Sequence, residues 1–143
     1  MANINKELEQ YILINNDILI GFQYVEESIR LYLSEVYKYI SAQISDVLPF
    51  SYGYNDLEKN SLGRLVKKFE KLNDNKQLIS ELKHLTPHRN ESAHRGFLLQ
   101  EEQLSDEAFF NRKLVELVEI RDRTTKCVNE LYKQIARIKI LNG

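Results

Sequence analysis

The stretch "HLTPHRNESAHRGFL", residues 84 to 98, gathers three histidines and two arginines in a chain that otherwise reads as amphipathic helix. Arg89, Asn90 and His94 are its chemically capable members. Arginine is permanently cationic and its planar fork matches phosphate oxygens, histidine exchanges protons near neutrality, and asparagine offers both a donor and an acceptor. Together these types suit phosphodiester chemistry without a metal. In RNA the 2′-hydroxyl is a built-in nucleophile. The protein need only remove its proton, protonate the leaving 5′-oxygen and stabilise the charged phosphorane. His94 fits the two proton transfers and Arg89 the charge.

On a helix over 87 to 96, Asn90 and His94 are four residues apart and share a face, whereas Arg89 and His94 are separated by about 140° around the axis. Arg89 therefore cannot touch His94 directly on a straight helix; the two could still flank one groove if the helix is irregular near Pro87 or a neighbouring subunit contributes. Spacing also fits a plainer account. Arg89 pairs with a nearby acid such as Glu91 or Glu101, Asn90 satisfies exposed backbone near Pro87, and His94 is a hydrogen-bonded helix-end residue. A third arrangement has His84, His88 and His94 as metal ligands, but no carboxylate or cysteine at helical spacing completes the set and Pro87 disturbs it. His88 is better placed as an accessory group at the same groove. The single Cys127 lacks the partners of a disulfide or thiolate site and reads as a packing residue. Tyr32, Tyr37 and Tyr39 have helical spacing and read as core or interface before base-stacking groups.

The elements that must position these residues follow from periodicity. Leu8, Ile12, Leu19, Phe22, Ile29, Leu33, Val36 and Ile40 recur in steps of 3, 4 or 7, one face of a long helix over about residues 5 to 45. Gly21 inside it marks a kink or a close helix crossing. "LPFSYGYND" breaks the pattern, and "LEKNSLGRLVKKFEKL" forms a shorter helix with Leu62, Leu65, Val66, Phe69 and Leu72 inward. "NDN" at 73 to 75 supplies a turn and N-cap for a third helix through Leu78, Ile79, Leu82 and Leu85. Thr86 and Pro87 suit a kink or a restart, with Thr86 as cap. Ser105 with Asp106 and Glu107 starts the last helix, which keeps a seven-residue rhythm from Phe110 to Ile138. The expected fold is all-α: an antiparallel four-helix bundle with two long helices, first and last, and shorter ones between, in a single domain over 1–143.

Composition agrees with this class and narrows the partners. The 143 residues include only 5 Gly and 2 Pro, and 29% are charged. Net charge is −1, so no overall field attracts nucleic acid; any polyanion must meet a local patch. Residues 121 to 143 hold six basic and two acidic side chains, whereas residues 1 to 48 hold three basic and seven acidic. A solvated helix face accounts for either excess as well as a binding surface does. The acidic start and the lack of an apolar run of about 18 residues lead to the expectation of a soluble, cytoplasmic protein without membrane association.

"RNESAH" resembles the R-N-x-x-A-H form of the R-x(4–6)-H motif of the HEPN family, the higher eukaryotes and prokaryotes nucleotide-binding domain. Its setting is similar too: a small helical chain, a long first helix, "SLGRLVKKF" before the motif, "RGFL" after it and a long closing helix. The resemblance covers most of the chain and is specific around residues 89 to 94. It implies a four- to five-helix bundle, often dimeric, and metal-independent RNA cleavage as a toxin or defence effector. Arg89 is then the motif arginine, Asn90 its polar neighbour and His94 the motif histidine, with no cofactor. It also implies a neutralising antitoxin, in this family often a small nucleotidyltransferase. Some members are non-catalytic, so a helical module binding a nucleotide or a partner protein is the alternative.

Overall fold

The computed structural model describes the backbone of residues 2–95 and 106–143 and the side chains of residues 6–93 and 106–143. Four helices and one short 3-10 turn make up these residues: α1 (Ala2–Ile44), the turn (Tyr54–Asp56), α2 (Leu62–Lys71), α3 (Lys76–Arg95) and α4 (Glu107–Leu141). The expected helical bundle, with two long helices flanking two short ones, is the one observed. Among the described residues no strand occurs, and no helix is long and apolar enough to cross a membrane.

The helix limits have local causes. Ser61 accepts from the Arg64 N–H and starts α2, Asn75 accepts from Leu78 N–H at 3.0 Å and starts α3, and Asp106 accepts from Phe109 N–H at 3.1 Å and starts α4. The "NDN" turn is thus built as expected, with Asn73 Oδ1 also accepting from Asn75 N–H. Helix α2 starts later than the apolar pattern suggests. Arg30 of α1 donates to the carbonyls of Leu57 and Asn60 at 3.1 Å each, which pins residues 57 to 60 as a turn over α1 and buries Leu57. Ser105 lies outside the described residues.

Helix direction follows from the pairs that touch. Tyr11 packs on Phe110, Gly21 on Thr124, and Glu35 accepts from Asn142, so α1 and α4 run parallel, a departure from the antiparallel arrangement expected for the bundle. Helix α3 runs against both neighbours: Glu81 meets Arg123 and Glu91 meets Lys113 on α4, while Glu70 of α2 meets Lys83. The connection over residues 45 to 61 makes this possible by carrying the chain back along α1.

The core is filled by Phe22, Ile29 and Leu33 of α1, Leu65 and Phe69 of α2, Leu82 and Leu85 of α3, and Phe110 and Leu131 of α4. In the first third of α1 the buried stripe is turned by one residue from the apolar count. Tyr11, Asn15 and Ile18 are buried, and Ile12 and Leu19 are only partly covered. Tyr11 fills that position by stacking obliquely on Phe110, with ring centroids 6.3 Å apart. Asn15 is 1% exposed, and neither amide atom has a hydrogen-bond partner among the described residues. Tyr32 closes the other end: its hydroxyl donates to Leu72 carbonyl at 2.7 Å and accepts from Asn73, whose amide also reaches Gln134 of α4.

Gly21 is the close crossing its position suggested. A Cβ there would lie 2.9 Å from Thr124 Cγ2, and Thr124 cannot swing away because its buried hydroxyl donates to Ile120 carbonyl. Gly21→Ala gains about 1 kcal/mol in helix propensity and loses about 1–3 kcal/mol to overpacking. The expected result is a lower urea midpoint, largely restored in Gly21→Ala/Thr124→Ser, where the obstructing methyl is gone. A midpoint raised by Gly21→Ala alone would contradict the close crossing.

Candidate catalytic site

Helix α3 carries the motif, and it is continuous from Lys76 to Arg95 with Pro87 inside it. The restart allowed by the sequence does not occur. Thr86 does not cap a new helix; its hydroxyl donates to Leu82 carbonyl at 2.9 Å, a bond available only within a helix that has already formed. Pro87 has no N–H to offer the carbonyl one turn earlier, but the burial of Leu82 and Leu85 before it and Ser92 after it holds the helix on course.

This continuity fixes the relation between the motif residues. Arg89, Asn90 and His94 all belong to one α-helix, so the directions at 89 and 94 diverge by about 140° and those at 90 and 94 by about 40°. The side chain of His94 lies outside the described residues, as do Glu101 and the residues of "RGFL" after Arg95. Asn90 is exposed and His88 partly exposed. The rings of His84 and His88 lie 5.9 Å apart, one helical turn along the outer side.

Arg89 turns toward α1. Its Nε donates to Glu26 Oε1 at 2.9 Å, with the Arg89 side chain 35% exposed and that of Glu26 12%. The acid suggested by proximity in sequence is not the one used, because Glu91 faces α4 and lies 3.6 Å from Lys113 Nζ. Glu26 is also approached by Arg30 Nη2 at 3.8 Å, and Arg30 Nη1 lies 3.5 Å from Glu27. Glu27 accepts from the Tyr54 hydroxyl at 2.9 Å, a bond that raises the Tyr54 pKa. Arg89, Glu26, Arg30 and Glu27 thus alternate in charge as one balanced group, with Arg89 at its partly exposed end.

Sequence reasoning did not find Glu26 and Arg30. The available signal was a Glu and an Arg at i, i+4 within the apolar stripe of α1, next to Phe22, Val25 and Ile29, where charged residues are rarely buried unless paired. The other chemically capable residues lie elsewhere. Cys127 is 2% exposed, and burial pushes its thiol up to about 12, so it packs as a neutral side chain. It borders a groove of about 630 Å³ at the opposite end of α3, between Asn75, Glu81, Arg123 and Lys133. There Arg123 holds Glu81 through two bonds at 2.6 and 2.9 Å, which lowers the Glu81 pKa. Among the described residues no three His, Cys, Asp or Glu side chains gather as metal ligands.

Fold and site together define a helical bundle with a carboxylate-anchored arginine near the end of its third helix. Comparison with known proteins finds no matching family model, no matching curated protein and no matching solved structure.

Proposed function

We propose that this chain is a metal-independent endoribonuclease of HEPN type, acting in the cytoplasm as a toxin or defence effector. The observation that carries the reading is Arg89: a partly exposed guanidinium, anchored at Nε, on the same unbroken helix as Asn90 and His94. In the proposed reaction His94 takes the proton from a ribose 2′-hydroxyl, and the resulting oxygen attacks the adjacent phosphorus. The bond to the 5′-oxygen breaks and that oxygen receives a proton, leaving a 2′,3′-cyclic phosphate and a 5′-hydroxyl. Arg89 stabilises the charged phosphorane, Asn90 orients the phosphate or the imidazole, and His88 is an accessory group. The basic excess on α4, including Lys126 and Arg137, lies toward the start of α3, away from Arg89, and offers backbone contacts for an RNA that extends along the bundle from the cleaved phosphate. A homodimer would bring two motifs to one groove, and a nucleotidyltransferase-type antitoxin is the neutralising partner that the resemblance implies.

One observation favours a second reading. The Arg89–Glu26 pair ties α3 to α1, a structural task that a non-catalytic module binding a nucleotide or a partner protein would also need. Expression in bacteria separates the two. The ribonuclease reading expects growth arrest by the wild type and normal growth with His94→Ala at equal expression and equal helicity. Harmless wild type supports the module. Cleavage should be unchanged in EDTA; loss in EDTA with recovery on adding zinc would replace this mechanism with a histidine-metal one.

A further inference from the structure

Glu26 occupies a position that helix packing alone would give to an apolar residue, between the buried Phe22 and Ile29 on the inner face of α1. Its two oxygens have different neighbours: Oε1 takes Arg89 Nε at 2.9 Å, and Oε2 lies 3.8 Å from Arg30 Nη2. Arg30 is itself fixed from behind, since its Nε and Nη2 donate to the carbonyls of Leu57 and Asn60. The neighbouring carboxylate, Glu27, is occupied by the Tyr54 hydroxyl and by Arg30, which keeps it from competing for Arg89. A guanidinium is planar, so a bond at Nε fixes the direction of the plane and of the opposite Nη edge. That edge is the one suited to two parallel bonds with phosphate oxygens.

Resting on the ribonuclease reading, we propose that Glu26 is the positioning residue of the site. It turns the Arg89 guanidinium so that its Nη edge, left open by the bond at Nε, meets the phosphate. A salt bridge that served packing alone would affect stability and leave turnover per folded molecule unchanged.

The test uses the full chain labelled with ¹⁵N at arginine, together with steady-state cleavage of a short RNA. In the wild type the Arg89 Nε–Hε resonance, identified by its loss in Arg89→Lys, should exchange slowly with water. Glu26→Gln keeps an acceptor at the same place, so the resonance persists and kcat falls by less than about tenfold. Glu26→Met keeps the volume but removes the acceptor. Fast exchange and a kcat loss of about 100-fold are expected, with KM within about twofold. Unchanged exchange in Glu26→Met, or a kcat equal to wild type, overturns the proposal. Should Glu26→Met fold poorly, equal kcat for Glu26→Gln and Glu26→Asp overturns it as well, because Asp retracts the acceptor by one methylene. A wild type that cleaves nothing while its Arg89 resonance still depends on Glu26 overturns the ribonuclease reading and leaves the positioning intact.

Discussion

Arg89→Ala should abolish RNA cleavage while leaving the helical circular dichroism signal in place. The loss is of charge stabilisation at the phosphorane, about 3–4 kcal/mol in the transition state, or a factor of several hundred in kcat. The fold tolerates the change because Glu26 does not become an isolated buried charge: Arg30 remains 3.8 Å away, held by the Leu57 and Asn60 carbonyls. The Arg89 side chain is 35% exposed, so its ion pair is partly screened and its removal costs stability only modestly. Arg89→Lys should recover little. An ammonium can bond Glu26 or a phosphate oxygen, but it cannot do the first at one edge and present a fork at the other. Cleavage at the wild-type rate by Arg89→Ala would remove the residue from the mechanism.

Mixed dimers of wild-type and His94→Ala chains should have activity far below half that of the wild type. In-line cleavage profits from a base and an acid, yet the motif holds one histidine, and arginine exchanges no proton at working pH. The continuity of α3 sharpens the difficulty. Residues 89 and 94 leave the helix in directions about 140° apart, with no break between them to bring the two side chains onto one face. A two-fold axis that repeats the motif would place Arg89 from one chain and His94 from the other at a common groove, with a second histidine as the proton partner. Chains carrying two different tags allow the mixed species to be purified, and its dimeric state can be checked by sedimentation. Independent sites would retain about half the activity, one centre of two surviving. That result, or cleavage by a monomer at working concentration, would refute the shared site.

Much of the architecture could be read in advance because helix periodicity is local. The stripes Leu62, Leu65, Val66 and Phe69 and Leu78, Ile79, Leu82 and Leu85 are buried as their spacing demands, and Gly21 marks a real close approach. The departures come from contacts distant in sequence. Tyr11 and Asn15 displace Ile12 and Leu19 from the core because Phe110, about a hundred residues later, receives the Tyr11 ring. The turn at 57 to 60 exists because Arg30 claims its carbonyls, a demand that the apolar pattern around Leu57 does not carry. Thr86 and Pro87 read locally as a helix start, yet packing on both sides of Pro87 keeps α3 intact.

The same distinction applies to the site. The types and spacing of Arg89, Asn90 and His94 were legible as a hexapeptide, whereas the partner that orients Arg89 was not. Glu26 lies 63 residues earlier, and Glu91 is the acid closest in sequence. Only the antiparallel course of α3 along α1 brings Glu26 to Arg89, and it simultaneously turns Glu91 toward Lys113.

The most direct test is the chemistry of the product ends. A defined RNA of about 30 nucleotides is incubated with purified wild-type protein in EDTA, beside the same RNA carrying 2′-O-methyl riboses throughout. Attack by the ribose oxygen requires a free 2′-hydroxyl and passes through a cyclic phosphodiester. The expected products are fragments ending in 2′,3′-cyclic phosphate and beginning with 5′-hydroxyl, with no cleavage of the methylated RNA and no fragments with His94→Ala. Intact RNA at micromolar wild-type protein, or fragments bearing 5′-phosphates, would contradict the proposed reaction.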